Sequence, residues 1–217
     1  MDVRALHRDL LDLHGRPAET HSTDGVRQLL TTILSQSVAD EQTAQAAENL
    51  FERYPDYAAI EAADRDELAE TIRVAGLNQQ KAARIQRSLA AIREETGDDE
   101  GYTLAFLDGM DTDDAVDWLT EIKGIGPKTA SVVLNFHFEK PTFAVDTHVE
   151  RLAKRFGMIA ESASNQRAHD ELDAMVPDDI KYSLHVLMIT HGREFCTAQS
   201  PNCANPVCET YCDCEGC

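Results

Sequence analysis

Val26, Leu29, Leu30, Ile33, Leu34 and Val38 fall three and four positions apart, a spacing that gathers them on one face of an α-helix. Thr43, Ala46, Ala47, Leu50 and Phe51 carry the stripe onward until "RYPD" ends it with a proline. The same period returns in "RDELAETIRV", which Gly76 closes, and again from about Lys81 to Glu95 with Ala82, Ile85, Leu89 and Ile92 on one side. It returns in "TDDAVDWLTEIK", where Trp118, Leu119 and Ile122 are expected to pack inward, and in "SNQRAHDELDAMV" and "DIKYSLHVLMITHG". "TGDDEGYT" reads as a loop rich in glycine and acid. Alternation of period two is nowhere sustained, and no repeat of fixed period is evident. The expected fold class is all-α.

The 217 residues suffice for one sizeable domain or two small ones sharing a core. With 42% hydrophobic residues the composition is globular. No apolar run approaches the roughly 20 residues of a membrane span. "MDVRALHRDLLDLHG" lacks the pattern of a signal peptide, so a cytoplasmic protein without membrane contact is expected. The charge is lopsided: 39 acidic against 20 basic residues, a formal net charge of -19. Spread along the chain, these acids read as a surface adapted to concentrated salt, where screening weakens their mutual repulsion. A nucleic-acid binder of that charge must rely on geometry and hydrogen bonds, because salt also weakens phosphate binding.

"LTEIKGIGPKTASVVL" reads as helix, tight turn, helix. Glycines at Gly124 and Gly126 permit backbone angles closed to other residues and let a ligand approach the main chain. Pro127 suits the first turn of the second helix, where its missing N–H costs nothing. The amides of that turn have no partner within the helix, and the helix dipole adds positive character. Such a turn accepts a phosphate without a positive protein around it. Taken alone, Lys128 would be a surface lysine beside this turn, and Asp146, in "FAVDTHVERL", the N-cap of a following helix.

Together, this hairpin, the Gly/Pro-containing loop after it and "VDTHV" resemble the endonuclease III family of DNA glycosylases. "TILSQSVADEQTAQA" resembles that family's helix near the lesion, "GLNQQKAARI" its glycine–lysine turn, and "ITHGREFC" its entry to an iron–sulfur loop. The resemblance covers nearly the whole chain, with the motifs in the family's order. It implies two helical lobes with double-stranded DNA carrying a damaged base between them, and a monomeric enzyme. One lobe would be a six-helix unit over residues 23–137 that ends with the helix-hairpin-helix. The other would combine residues 1–22 and 138–217, with a cluster loop at 196–214. Lys128 and Asp146 would face each other at the cleft as the catalytic pair, and Gly124, Gly126, Gln36, Ser37 and Lys81 would contact DNA. Arg84, Arg151, Lys154 and Arg193 are further candidate phosphate contacts.

The resemblance also implies a chemistry. The neutral amine of Lys128 attacks the sugar C1′ as the base leaves, forming a Schiff base, and Asp146 stabilises positive charge on the sugar. β-Elimination then cuts the strand 3′ to the abasic site. The base must first leave the stack, and Gln36 or Ser37 would fill the gap. Oxidised pyrimidines are the expected substrates. A thymine or uracil mismatch glycosylase on the same scaffold and a non-catalytic DNA-binding protein are the rivals.

All six cysteines lie between Cys196 and Cys217. A disulfide framework spreads its cysteines over the fold, so a terminal cluster reads as a metal site. Four thiolates suit zinc or an iron–sulfur cluster, and the resemblance favours [4Fe–4S]. The family spacing is Cys-x6-Cys-x2-Cys-x5-Cys. Here Cys196, Cys203, Cys208 and Cys214 reproduce it with two residues added to the middle gap, and Cys212 or Cys217 could substitute for the last.

Overall fold

The computed structural model describes residues 1–19 and 21–212, and the side chains of residues 98–100 are left aside. The described residues form helices and no strands, as the periodicity implies. None of these helices is long and apolar enough to cross a membrane. The chain divides into two compact units, Met1–Thr20 with Lys140–Cys217, and His21–Glu139.

The unit His21–Glu139 is built around α2 (Gly25–Leu34), which packs on α3 (Asp40–Arg53), α6 (Asn78–Glu100) and α8 (Pro127–Phe138). Asp24 caps α2 by accepting the amide of Arg27, and its other oxygen takes the Tyr57 hydroxyl at 2.5 Å. Seven of the helix's ten residues are buried, so it is apolar nearly all round, as a central helix must be. Short helices α4 (Tyr57–Ala62) and α5 (Arg65–Thr71) lie against α6, and α7 (Thr112–Glu121) packs on α8.

The long stripe expected from Val26 to Phe51 is interrupted. α2 ends at Leu34, a turn follows, and α3 begins at Asp40. Ser37 sits in that turn with φ +61°, a conformation that costs a non-glycine residue about 1 kcal/mol or more. α6 begins earlier than expected, at Asn78, and extends through the expected loop to Glu100, broken by Gly97 at φ +73°. Leu119 and Ile122 are buried as expected, whereas Trp118 is half-exposed, stacked edge-on against Phe106 with its indole N–H on Glu95.

The other unit packs α11 (Lys181–Glu194) against α1 (Val3–His14) and α9 (Thr147–Arg155), and α12 (Pro206–Tyr211) against α1. α10 (Asn165–Met175) contributes Ala168 and Leu172 to the same core. Chain ends distant in sequence are tied together here: Arg4 forms a two-bond ion pair with Asp179, and Tyr211 donates to Asp9.

Candidate nucleic-acid interface and catalytic residues

The hairpin runs from α7 to α8. The Ile125 amide closes the turn on the Ile122 carbonyl at 2.9 Å. Gly124 has φ +105°, and a Cβ there would stand 2.7 Å from Arg84 Cγ, so the fold itself requires glycine. Gly126 differs: its backbone is extended (φ -107°, ψ 176°), and a Cβ would meet nothing within 4 Å. It is the N-cap of α8, no side chain caps the helix, and Pro127 follows at its start. Lys128 comes next, half-buried, and its ammonium has no hydrogen bond or ion pair among the described residues. The helix therefore presents uncapped amides and one uncommitted cation at its positive end.

Beside the turn lies a groove of about 410 Å³ whose charged lining is Arg65, Arg84, Arg87 and Lys123. None of its lining residues carries a carboxylate. On a chain of net charge -19, a carboxylate-free groove next to an open helix N-terminus is the locale best suited to a polyanion.

Asp146 is the N-cap of α9. Its Oδ1 accepts the amides of His148 and Val149, each at 2.8 Å. One oxygen thus anchors the carboxylate to the backbone while Oδ2 makes no hydrogen bond among the described residues.

Several expected DNA contacts are corrected by the structure. Lys81 is fully buried, and its ammonium donates to the carbonyls of Leu34 and Ala75 at 2.8 and 2.7 Å. It fastens the end of α2 and cannot reach a phosphate. Burial, with Arg84 next in weight, pushes its pKa down to about 8. Gln36 is half-buried: its carbonyl accepts from Arg84, and its amide donates to Thr129 Oγ1 at 3.2 Å. Ser37 is exposed at the apex of the α2–α3 turn. Arg151 is turned inward onto the carbonyls of Cys196 and Gly192, and Lys154 pairs with Glu150.

At the C-terminal end, Cys196 and Cys208 are buried, and each sulfur meets a side-chain nitrogen. Arg155 Nη1 donates to Cys196 Sγ at 3.0 Å, and His191 Nε2 lies 3.3 Å from Cys208 Sγ. Such donors suit sulfurs that carry negative charge as metal ligands. Cys212 is half-buried, Cys203 stands in the loop before α12, and Cys214 lies outside the described residues. Among the described residues no three ligand side chains converge closely enough to hold a metal.

An all-helical fold with a glycine hairpin, an uncommitted lysine behind it and a cation-lined groove defines a class that grips the backbone of DNA. The chain belongs to the HhH-GPD superfamily of base excision DNA repair proteins, whose model matches residues 30–178. Endonuclease III of Thermotoga maritima is 31% identical over 197 residues, spanning 91% of this chain and 86% of that one. Endonuclease III of Sulfolobus acidocaldarius is 33% identical over 188 residues, 85% of this chain and 79% of its own length. A solved endonuclease III trapped as a covalent intermediate with DNA superposes with a TM-score of 0.79 at 29% identity, covering 97% of this chain and 94% of that one. The protein is accordingly a DNA-binding enzyme, a DNA glycosylase of base excision repair.

Proposed function

We propose that this glycosylase is bifunctional: it removes oxidised pyrimidines and then cleaves the strand as an abasic-site lyase. The observation that carries this reading is Lys128, an amine without a partner among the described residues on the uncapped first turn of α8. The amine attacks C1′ as the glycosidic bond breaks and the base departs with a proton. The nitrogen lone pair then breaks the C1′–O4′ bond, O4′ taking up a proton, to give an open-chain protonated imine; loss of the C2′ proton expels the 3′ oxygen, and water releases the lysine. Asp146, anchored through one oxygen, offers the other to the positive charge that develops on the sugar. The α8 amides take the DNA backbone, with room left by Gly126. The relative trapped on DNA as a covalent intermediate supports the lysine's role by analogy.

Lys128→Gln is expected to abolish borohydride trapping on duplexes with an abasic site while DNA binding persists. Trapping by that variant would remove Lys128 from its role. Duplexes carrying thymine glycol, G·T and G·U separate the oxidised-pyrimidine reading from a mismatch glycosylase.

The terminal cysteines are proposed to hold a [4Fe–4S] cluster through Cys196, Cys203, Cys208 and Cys214. The buried sulfurs of Cys196, which accepts from Arg155, and of Cys208, beside His191, fit that group. The cluster would fasten the C-terminal segment, with Arg155 and His191 steadying two of its ligands. Absorption near 400 nm with stoichiometric iron and sulfide is expected; stoichiometric zinc without iron would overturn it. The dispersed acidic charge is read as adaptation to concentrated salt.

A further inference from the structure

We infer that Gln36 is a positioning residue for Lys128, acting through Thr129 and held in place by Arg84. This rests on the proposed role of Lys128. The first turn of α8 has no capping side chain, so the usual anchor of a helix start is missing. Gln36 reaches that turn from the end of α2, its Nε2 donating to Thr129 Oγ1 at 3.2 Å. Thr129 is buried, whereas its neighbour Lys128 is half-exposed. Successive helical side chains diverge by roughly 100° about the axis. Holding Thr129 inward therefore fixes the roll that turns Lys128 outward.

The tether is braced at its other end. Arg84 donates to the Gln36 carbonyl, and the stem of the same arginine lies on Gly124, the hairpin's first glycine. One Arg–Gln–Thr chain thus ties α6, the α2–α3 turn, the hairpin and the start of α8. An amide is the group that does this, since it accepts from the guanidinium and donates to the hydroxyl at once.

A misplacement of about 1 Å in a reacting group costs on the order of 10²-fold in rate. Gln36→Leu, similar in volume but without either bond, is expected to slow single-turnover borohydride trapping on an abasic-site duplex about 10- to 100-fold. Its affinity for the same duplex should stay within about 3-fold, a change under 1 kcal/mol. Gln36→Glu should restore the rate, because a carboxylate accepts from both Arg84 and the Thr129 hydroxyl, while its charge weakens DNA binding. Thr129→Val should reproduce the loss, and the double variant should be no slower than either single one. Thr129→Val alone also carries the test if Gln36→Leu fails to fold. Wild-type trapping rates in Gln36→Leu or Thr129→Val would overturn the inference, as would lost affinity at an unchanged rate, which would return Gln36 to a DNA contact. Failure of the wild-type protein itself to trap would sink the lysine mechanism instead.

Discussion

Gly124 and Gly126 lie two residues apart in one turn and are glycine for different reasons. The first has a positive φ and Arg84 against its missing Cβ, whereas the second has ordinary extended backbone and open space. Gly124→Ala is therefore expected to destabilise the protein by about 1–3 kcal/mol, read by denaturant titration. Gly126→Ser supplies a preferred N-cap and should leave stability unchanged or raise it by up to about 1 kcal/mol. Its side chain would occupy the approach to the α8 amides, so DNA affinity should fall. Equal destabilisation of both variants would mean that the second glycine is structural too. Asp146 separates in the same way. Asn caps a helix as well as Asp does, so Asp146→Asn should keep the melting temperature but lose about 10²–10³-fold in base-release rate. A rate near wild type would leave Asp146 with a cap's role alone.

The elements were legible in proportion to their length and regularity. α6, α7, α10 and α11 follow from period, but α4, at six residues, is too short to display one. The break between α2 and α3 was hidden because "SQSVAD" has no glycine or proline, and Ser37 takes the left-handed angle without advertising it. Lys81 could have been placed correctly. It lies on one α6 face with Ile85, Ser88 and Ile92, all fully buried, and residues at that spacing share a side of the helix. Lysine's chemistry outweighed its register in the sequence reading. Lys81→Met should cost about 1–3 kcal/mol at neutral pH, because two carbonyls lose their donor, and it should leave the salt dependence of DNA binding unaltered. The pKa moves from 10.5 in the unfolded chain to about 8 in the fold. Between those values the unfolded state binds the extra proton, so stability rises with pH in that window. The advantage of wild type over Lys81→Met should widen from pH 8 to 10.5, and a constant gap would contradict the buried ammonium. Lys128 and Asp146 stand out in the sequence only through the motifs that flank them; the one-oxygen anchoring of Asp146, and the absence of a partner for the Lys128 ammonium among the described residues, were not legible.

At the scale of the whole molecule, net charge and binding face are set by different residues. The four cations of the groove stand on a chain with 39 acids. Removing one phosphate-binding cation should make the plot of log affinity against log salt shallower by about 0.9. Arg65→Gln with Arg87→Gln is expected to show twice that change, about 1.8, without altering preference for lesion over undamaged duplex. In the same titration, added potassium chloride should raise the melting temperature of the wild-type protein, as screening relieves acid–acid repulsion. An unchanged slope would take the groove out of the interface, and a falling melting temperature would refute the salt-adapted surface. The unit formed by Met1–Thr20 and Lys140–Cys217 has one more consequence, for the order of events on the ribosome. α1 emerges well before its partners α11 and α12, and the Asp9–Tyr211 bond joins residues 202 positions apart. At synthesis rates of about 5–20 residues per second, the apolar side of α1 waits roughly 10–40 s for its cover. The intervening unit can meanwhile complete its own core, so the nascent chain carries a finished middle and an unsheltered leading helix that holdase chaperones would bind.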